Sequence, residues 1–293
     1  MNQRDDEMTD PHDEAAHVAG ETFDPGAPLG ATGLLMAELW YEQVPDLQDT
    51  HLRDRLAATF PGLETRDLSF VIPHPDLTVQ MEQGPMPLLT AVFAASTLDQ
   101  AGKQKPSTAQ TWDWPGADAA LERSTGSLLA SELLASFFAP SQRLEALRRV
   151  VGALITETAP AAVSWPNSQQ VTDPATFADH QLNGPINVRF FTMTGEGDEP
   201  DSTVMDTLGL HVFDLPDVQC HFRDRDPGQV AALLLNTAHY IFEAGDVIDD
   251  GHTVSGPTGE ERYLVRHESA LAEPIRPVID IDLGPPYAVG VRR

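Results

Sequence analysis

The run Asp226 to Gly245, DPGQVAALLLNTAHYIFEAG, constrains the fold more than any other stretch, because it reads as one complete amphipathic helix. Asp226 can accept from the free N–H groups of a first helical turn, and Pro227 at the first helical position gives up no needed donor. Gly245 supplies the stop. At about 100° per residue, Val230, Ala231, Leu234, Leu235, Ala238, Ile241 and Phe242 form one broad apolar side. That side needs a sheet or another helix to cover it. Gln229, Asn236, His239, Tyr240 and Glu243 form an opposite polar stripe whose spacing lets the side chains meet. Two readings stand for the stripe: a solvated face, or a surface covered by another segment or lining a cleft.

The remaining chain alternates short apolar runs with helical patterns. Residues 1–30 are rich in Asp, Glu, Pro and Gly and offer little apolar surface to offset the entropy of ordering, which predicts a disordered acidic tail. In 31–138, a strand at Leu34–Tyr41 precedes a helix at Asp46–Phe60. Leu68–Ile72 and Leu77–Met81 follow as a hairpin about Pro73-His74-Pro75-Asp76, then a helix at Gly116–Arg123 and a strand at Ser127–Ser136. This βαββαβ order is that of a ferredoxin-like unit, an antiparallel or mixed sheet with helices on one face.

A second, related α+β half occupies 139–293, packed with the first as one globular unit. It starts with a helix at Ser141–Glu157 and a strand at Ala162–Trp165, followed by a helix at Asp173–Leu182. Strands are expected at Ile186–Met193, Val204–Phe213, Val218–Phe222, Tyr263–His267 and Val278–Leu283, and Thr194–Ser202 reads as a mobile acidic turn.

Common nucleotide and serine-hydrolase chemistry is disfavoured by what is missing. The chain carries no phosphate-binding Gly-x-x-x-x-Gly-Lys-Ser/Thr loop, no strand-linked Gly-x-Gly-x-x-Gly and no Gly-x-Ser-x-Gly nucleophile turn. A formal net charge of −27 argues against nucleic acid and anionic membrane and favours a basic protein partner. No apolar run is long enough to span a bilayer and Cys220 is a lone cysteine, so a cytoplasmic protein without a disulfide is expected. Cys220 reads as a buried strand residue.

The motifs around the central helix carry a resemblance. Asn236-x-x-His239-Tyr240-x-x-Glu243-x-Gly245-x-Val247-x-x-x-Gly251-x-Thr253-x-Gly256, with Val265-Arg266-His267, Gly184–Phe191 and Trp112-Asp113-Trp114-Pro115, resembles the bacterial family known as domain of unknown function 4261. The resemblance extends over roughly Gly33 to Leu283 and is densest after Gly184. It implies a shared architecture and brings no catalytic residue, cofactor or substrate with it.

Candidate chemistry therefore rests on the residues themselves. His239, Tyr240, Glu243 and His267 would serve a hydrolase or transferase, with His239 as general base oriented by Glu243. Asn236, His239, Tyr240, Trp112, Trp114, Arg189 and Arg266 are candidates for a ligand or partner surface, since aromatic and arginine side chains anchor interfaces. His239 and Glu243 stand one turn apart, but nothing in the sequence brings a third ligand to them, so neither a metal nor a cofactor is expected. Asp280 and Asp282 share one strand face, read as solvent-facing opposite Ile279 and Ile281. Three functions compete. The leading expectation is a non-catalytic interaction or accessory factor, immunity-like or regulatory. The others are the enzyme just described and a small-ligand sensor built on Trp112, Trp114 and Arg189 between the halves.

Overall fold

Met36–Tyr41 (β1) is buried on both faces, which marks it as an interior strand with layers on either side. The computed structural model describes residues 33–66, 68–94, 105–179, 181–194, 201–256 and 259–290. The acidic tail over 1–30 and most of the Thr194–Ser202 turn lie outside the described residues. Ala37, Leu39 and Tyr41 enter the main core, whereas Trp40, on the other face, packs with Ala162 and Val171.

The first sheet has seven strands. Around β1 they are Glu64–Arg66 (β2), Ser69–Met81 (β3), Gly84–Ala94 (β4), Gly126–Leu133 (β5), Ala162–Trp165 (β6) and Gln170–Thr172 (β7), in the order β2-β3-β4-β5-β1-β6-β7. Every pairing is antiparallel. Three helices accompany it: Thr50–Thr59 (α1), Ala117–Arg123 (α2) and Pro140–Thr158 (α3). α3 packs on the sheet and against α1, while α2 joins Trp40 on the opposite face.

The α+β class with antiparallel and mixed sheets is as expected, but the strand order is not ferredoxin-like. There the first strand would lie between the third and fourth; here β4 and β5 are direct neighbours and β1 stands outside them, beside β6. The expected hairpin at Pro73–Asp76 is also absent. β3 runs through it with a bulge between His74 and Thr78, and the reversal falls at Glu82-Gln83 before Gly84, whose φ is 120°. The prolines explain both misreadings. β2 pairs only with Ser69–Val71 and β5 only with Leu89–Ala94, so Pro73, Pro75, Pro85 and Pro87 sit in a two-stranded ribbon with an open side. A residue without an N–H is tolerated there.

The second sheet has six strands. They are Asn187–Met193 (β8), Ser202–Leu208 (β9), Asp217–Phe222 (β10), Thr253–Ser255 (β11), Arg262–Ser269 (β12) and Pro277–Asp282 (β13), in the order β11-β12-β13-β10-β9-β8 with β10 and β13 parallel. The central helix is Pro227–Ala244 (α4), capped by Asp226, whose carboxylate accepts from Gln229 N at 3.2 Å. β9 stops before the expected Phe213 because Gly209, at φ 137°, turns the chain where any Cβ would lie 2.0 Å from the Pro185 oxygen. A 3-10 turn, Leu210–Phe213, follows. The helix expected at Asp173–Leu182 shrinks to the 3-10 turn Pro174–Thr176, since Phe177 has no apolar partner a turn later and stacks instead on Trp165.

One core runs through both halves. α3 lies on the first sheet, α4 lies on the second, and the two helices touch. α3 and β6–β7 follow residue 138 in the chain yet build the first layer. Arg143 of α3 fixes that layer: it pairs with the fully buried Glu132 of β5, Nε to Oε2 at 3.1 Å, and lies 5.2 Å from the Phe213 ring, which meets Phe242 of α4 edge-on.

The outer face of the second sheet is unexpectedly charged. Cross-strand register aligns Arg189, Asp206, Gln219, Asp280 and Arg266 in one row. Arg189 grips Asp206 with two bonds, 2.9 and 2.6 Å, and Gln219 donates to Asp280 at 3.2 Å. Asp280 is buried, not solvent-facing as expected, because residues 270–276 fold over the row. Arg276 from that segment reaches Asp206 and Asp217, each at 2.8 Å; Arg189 donates to Glu273 O and Gln219 accepts from Leu271 N. Burial would push the Asp217 carboxyl up, but the His211 hydrogen bond and the Arg276 charge hold it below its usual range. Arg189 and Arg276 thus balance Asp206 and Asp217 out of water, while the third buried carboxylate, Asp280, accepts from Gln219. Removing one member of such a set leaves an uncompensated buried charge, which costs about 3–5 kcal/mol. Asp206→Asn is expected to destabilise by about that much in urea unfolding, against less than about 1 kcal/mol for Arg66→Gln at the exposed Glu64 pair. A small effect at Asp206 would show that the row does not hold the 270–276 segment.

Candidate functional site

The two sheets present edge strands, β7 and β8, whose backbone groups need partners. Residues 105–113 supply them. Gln110 imitates a strand with its side chain, accepting from Phe190 N at 2.9 Å and donating to Phe190 O at 3.1 Å. The Thr111 hydroxyl accepts from Val171 N at 3.1 Å, and Lys105 anchors the segment to Leu121 O and Glu122 O at the end of α2. Asn187 donates to Gln110 O at 3.0 Å and Ser168 O at 3.3 Å. Gln170 of β7 donates to Asn183 at 2.9 Å and weakly to Asp113 at 3.4–3.5 Å, and accepts from Gly184 N. Gly184 must be glycine: its φ is 100° and a Cβ would lie 2.1 Å from Trp165.

Where this strap crosses between the sheets it leaves a cleft of about 830 Å³. Ile186, Val188, Phe190 and Met205 form its floor, Trp112 and Asp113 one wall, and Ala231, Leu235, Asn236 and His239 of α4 the other. Trp112 is 61 % exposed and meets Phe190 edge-on at 5.9 Å; Leu235 is 45 % exposed. The apolar side of α4 is therefore turned from its expected position. Leu233 and Thr237 are buried, the threonine hydroxyl donating to Leu233 O, and the Ala231/Leu235 row faces the cleft.

Two smaller spaces adjoin it. A cavity of about 410 Å³ under the strap has the buried Glu38 in its wall and shares Gln170 with the cleft. A groove of about 720 Å³ on the far flank of α4 is lined by Asn236, Tyr240, Val247, Gly251 and Thr253, so Asn236 borders both flanks.

The residues expected to carry function are dispersed. His239 and Glu243 meet at 3.3 Å on an open face, 59 % and 70 % exposed, and Tyr240 is 51 % exposed. This stripe is solvated along most of its length, with only Asn236 and His239 reaching the cleft rim. Trp114 packs against α2 and its neighbours. Arg189 is buried on the other face of β8, so of the expected Trp112, Trp114 and Arg189 only Trp112 lines the cleft. Arg266 lies exposed on β12. The sequence signal missed was Phe190 beside Arg189: alternation along β8 puts Val188 and Phe190 on the cleft face. Among the described residues no group of three or more His, Cys, Asp or Glu could hold a metal ion, and no helix is long and apolar enough to cross a membrane.

His267 belongs to a separate device. Its Nδ1 lies 2.9 Å from Asp250 and its Nε2 3.2 Å from Asp246, tying β12 to the loop after α4. Burial opposes its charge, but the Asp250 and Asp246 bonds outweigh burial and raise its pKa above the usual 6.5.

Residues 206–282 match the family model described as Domain of unknown function (DUF4261), the family the motifs resemble. The match runs from Asp206 in β9 to Asp282 in β13 and includes α4, the groove and most of the charged row; Trp112, Asp113 and Phe190 lie outside it. The chain has no match among curated proteins or among solved structures.

A raised histidine pKa contributes stability that is complete below about pH 6.5 and is lost as pH rises through the folded value. Amide exchange in the 246–252 loop is expected to quicken, beyond its intrinsic pH dependence, as pH rises above about 6.5 and through the raised folded pKa, and His267→Asn should remove that excess. An unchanged profile in the variant would disprove the clamp.

Proposed function

We propose that the protein is a non-catalytic cytoplasmic binding factor that holds a small molecule in the cleft between strap, β8 and α4. The observation that carries this reading is the placement of Trp112 and Leu235, large apolar side chains left open to solvent, around the half-buried Phe190 in one cleft of about 830 Å³. Exposed apolar groups collected in a concavity of that size are the usual make-up of a ligand site. The amides of Asn183, Asn187 and Asn236 add the polar groups that fix a ligand's orientation. The expected catalytic pair, His239 and Glu243, lies on an open face, which favours binding over turnover.

The net charge of −27 supports a second role for the same molecule, an accessory surface for a basic protein. Such a partner would leave a pull-down as salt rises from about 0.05 to 0.5 M, since screening over a Debye length of about 10 Å or less removes its attraction. Retention at high salt would exclude it.

For the cleft, a metabolite screen read by tryptophan fluorescence and thermal shift is expected to return a ligand. Trp112→Ala and Leu235→Ala should each weaken that ligand, the tryptophan change about tenfold or more, because anchors of this kind carry most of a site's binding energy. Unchanged affinity in both variants would place binding elsewhere and overturn the reading.

A further inference from the structure

The ligand class follows from what each wall of the cleft can offer, and this inference rests on the cleft being the binding site. We infer that the cleft selects a small planar cation, an amidinium or guanidinium carried on an apolar body, over neutral and anionic molecules of the same shape.

Hydrogen bonding decides the polarity of the site. Asn187 spends both amide hydrogens on the carbonyls of Gln110 and Ser168, which fixes its orientation and leaves Oδ1 to accept. Gln170 is engaged at both ends, its oxygen by Gly184 N and its nitrogen by Asn183 and Asp113. The Asp113 carboxylate holds only those weak contacts of 3.4–3.5 Å, so a better donor can replace them. Asn183 has its oxygen taken by Gln170 and keeps donors, so the acceptors at this edge are Asn187 Oδ1 and the Asp113 carboxylate, and of these only Asp113 carries charge.

Charge points the same way. Among the described lining residues there is one carboxylate, Asp113, and no lysine or arginine. His239 on the opposite rim is already paired with Glu243. The N-terminus of α4, with Pro227 and Gly228 in the lining, would ordinarily attract an anion. Its own cap prevents that: the Asp226 carboxylate accepts from Gln229 N and would lie 3.4 Å from a Cβ on Gly228. A phosphate or carboxylate entering here would meet Asp226 and Asp113 with no cation to balance it.

Shape completes the assignment. The exposed face of Trp112 stands next to Asp113 in the chain, and an indole face attracts cations most strongly of all side chains. A guanidinium or amidinium can stack on it and present two parallel N–H groups to the carboxylate. The Phe190, Val188 and Leu235 surfaces behind would take the apolar body. A lone flexible arginine side chain would leave those surfaces uncovered, so the cation belongs to a small molecule.

Benzamidine, benzamide and benzoate have one shape and three charges. Titrated into the full-length protein at low ionic strength and followed by Trp fluorescence and ligand-observed NMR, benzamidine should bind about tenfold tighter than benzamide, with benzoate weakest. Asp113→Asn, checked for an unchanged melting temperature, should bring benzamidine within about threefold of benzamide, whereas Trp112→Ala should weaken both. Capped arginine should bind more weakly than benzamidine, and equal or tighter binding would overturn the small-molecule assignment. Equal affinities for all three benzene derivatives, or a preference for benzoate, would overturn the charge selection while leaving the cleft as a site. No binding by any of them, with Trp112 emission unchanged, would remove both the selection and the cleft reading.

Discussion

Two sheets, one antiparallel and one mixed, present the edge strands β7 and β8, and the structure depends on how those edges are closed. An unpaired backbone N–H or C=O costs free energy when it loses water, and a bare edge invites another chain to pair with it. Here a segment without strand geometry does the closing, through the side chain of Gln110 on Phe190 and the hydroxyl of Thr111 on Val171. Side chains reach farther than a paired backbone would. The strap therefore stands off from the sheets, and the space beneath and beside it becomes the cavity next to Glu38 and the cleft next to Trp112.

The charged row on the second sheet answers a different demand. A sheet that packs α4 on one face could leave the other face wet, as antiparallel sheets commonly do. Instead the 270–276 segment covers it, and the covered face carries Arg189, Asp206, Gln219 and Asp280 in one row. Such sets are poor sources of net stability but strict about geometry, since every member needs its partner. Arg276 meets that condition by bonding Asp206, Asp217 and the carbonyls of Thr207, Ala272 and Pro274 together. The row thereby fixes β8, and with it the floor of the cleft, because Arg189 and Phe190 are adjacent on that strand.

How much of this was legible follows from which signals are local. The α4 cap and stop lie within a few residues of each other, and Asp226, Pro227 and Gly245 act as read. Cys220 is a buried strand residue for the same reason. The β3–β4 ribbon was misread because proline normally ends a strand, and only the absence of a neighbour on one side, a tertiary fact, admits Pro73 and Pro87. Asp280 was placed in water because alternation gives the face but not what covers it. Arg189 looked like an anchor for a cleft; its partner, Asp206, is on the next strand and invisible to spacing rules. Trp112 is a candidate because aromatic side chains anchor interfaces, and the cleft does receive it, but without Trp114.

The turn of α4 about its axis links these points. Sequence periodicity centres the apolar side between Ala231 and Leu234, yet the sheet takes the Leu233/Thr237 row and leaves Leu235 in the open. Thr237 can be buried at little cost because its hydroxyl returns a bond to Leu233 O. Leu235 then stays half open at the cleft, which it lines together with Phe190 of the same sheet and Trp112 of the strap. An apolar residue displaced from a core by a threonine is a poor bargain for folding alone. It makes sense when the exposed row serves as one wall of a site whose other wall, Trp112 and Asp113, arrives from outside the segment that matches the family model. The helix and the strap come from distant parts of the chain, and only their juxtaposition creates a surface that is apolar, concave and acidic at one edge.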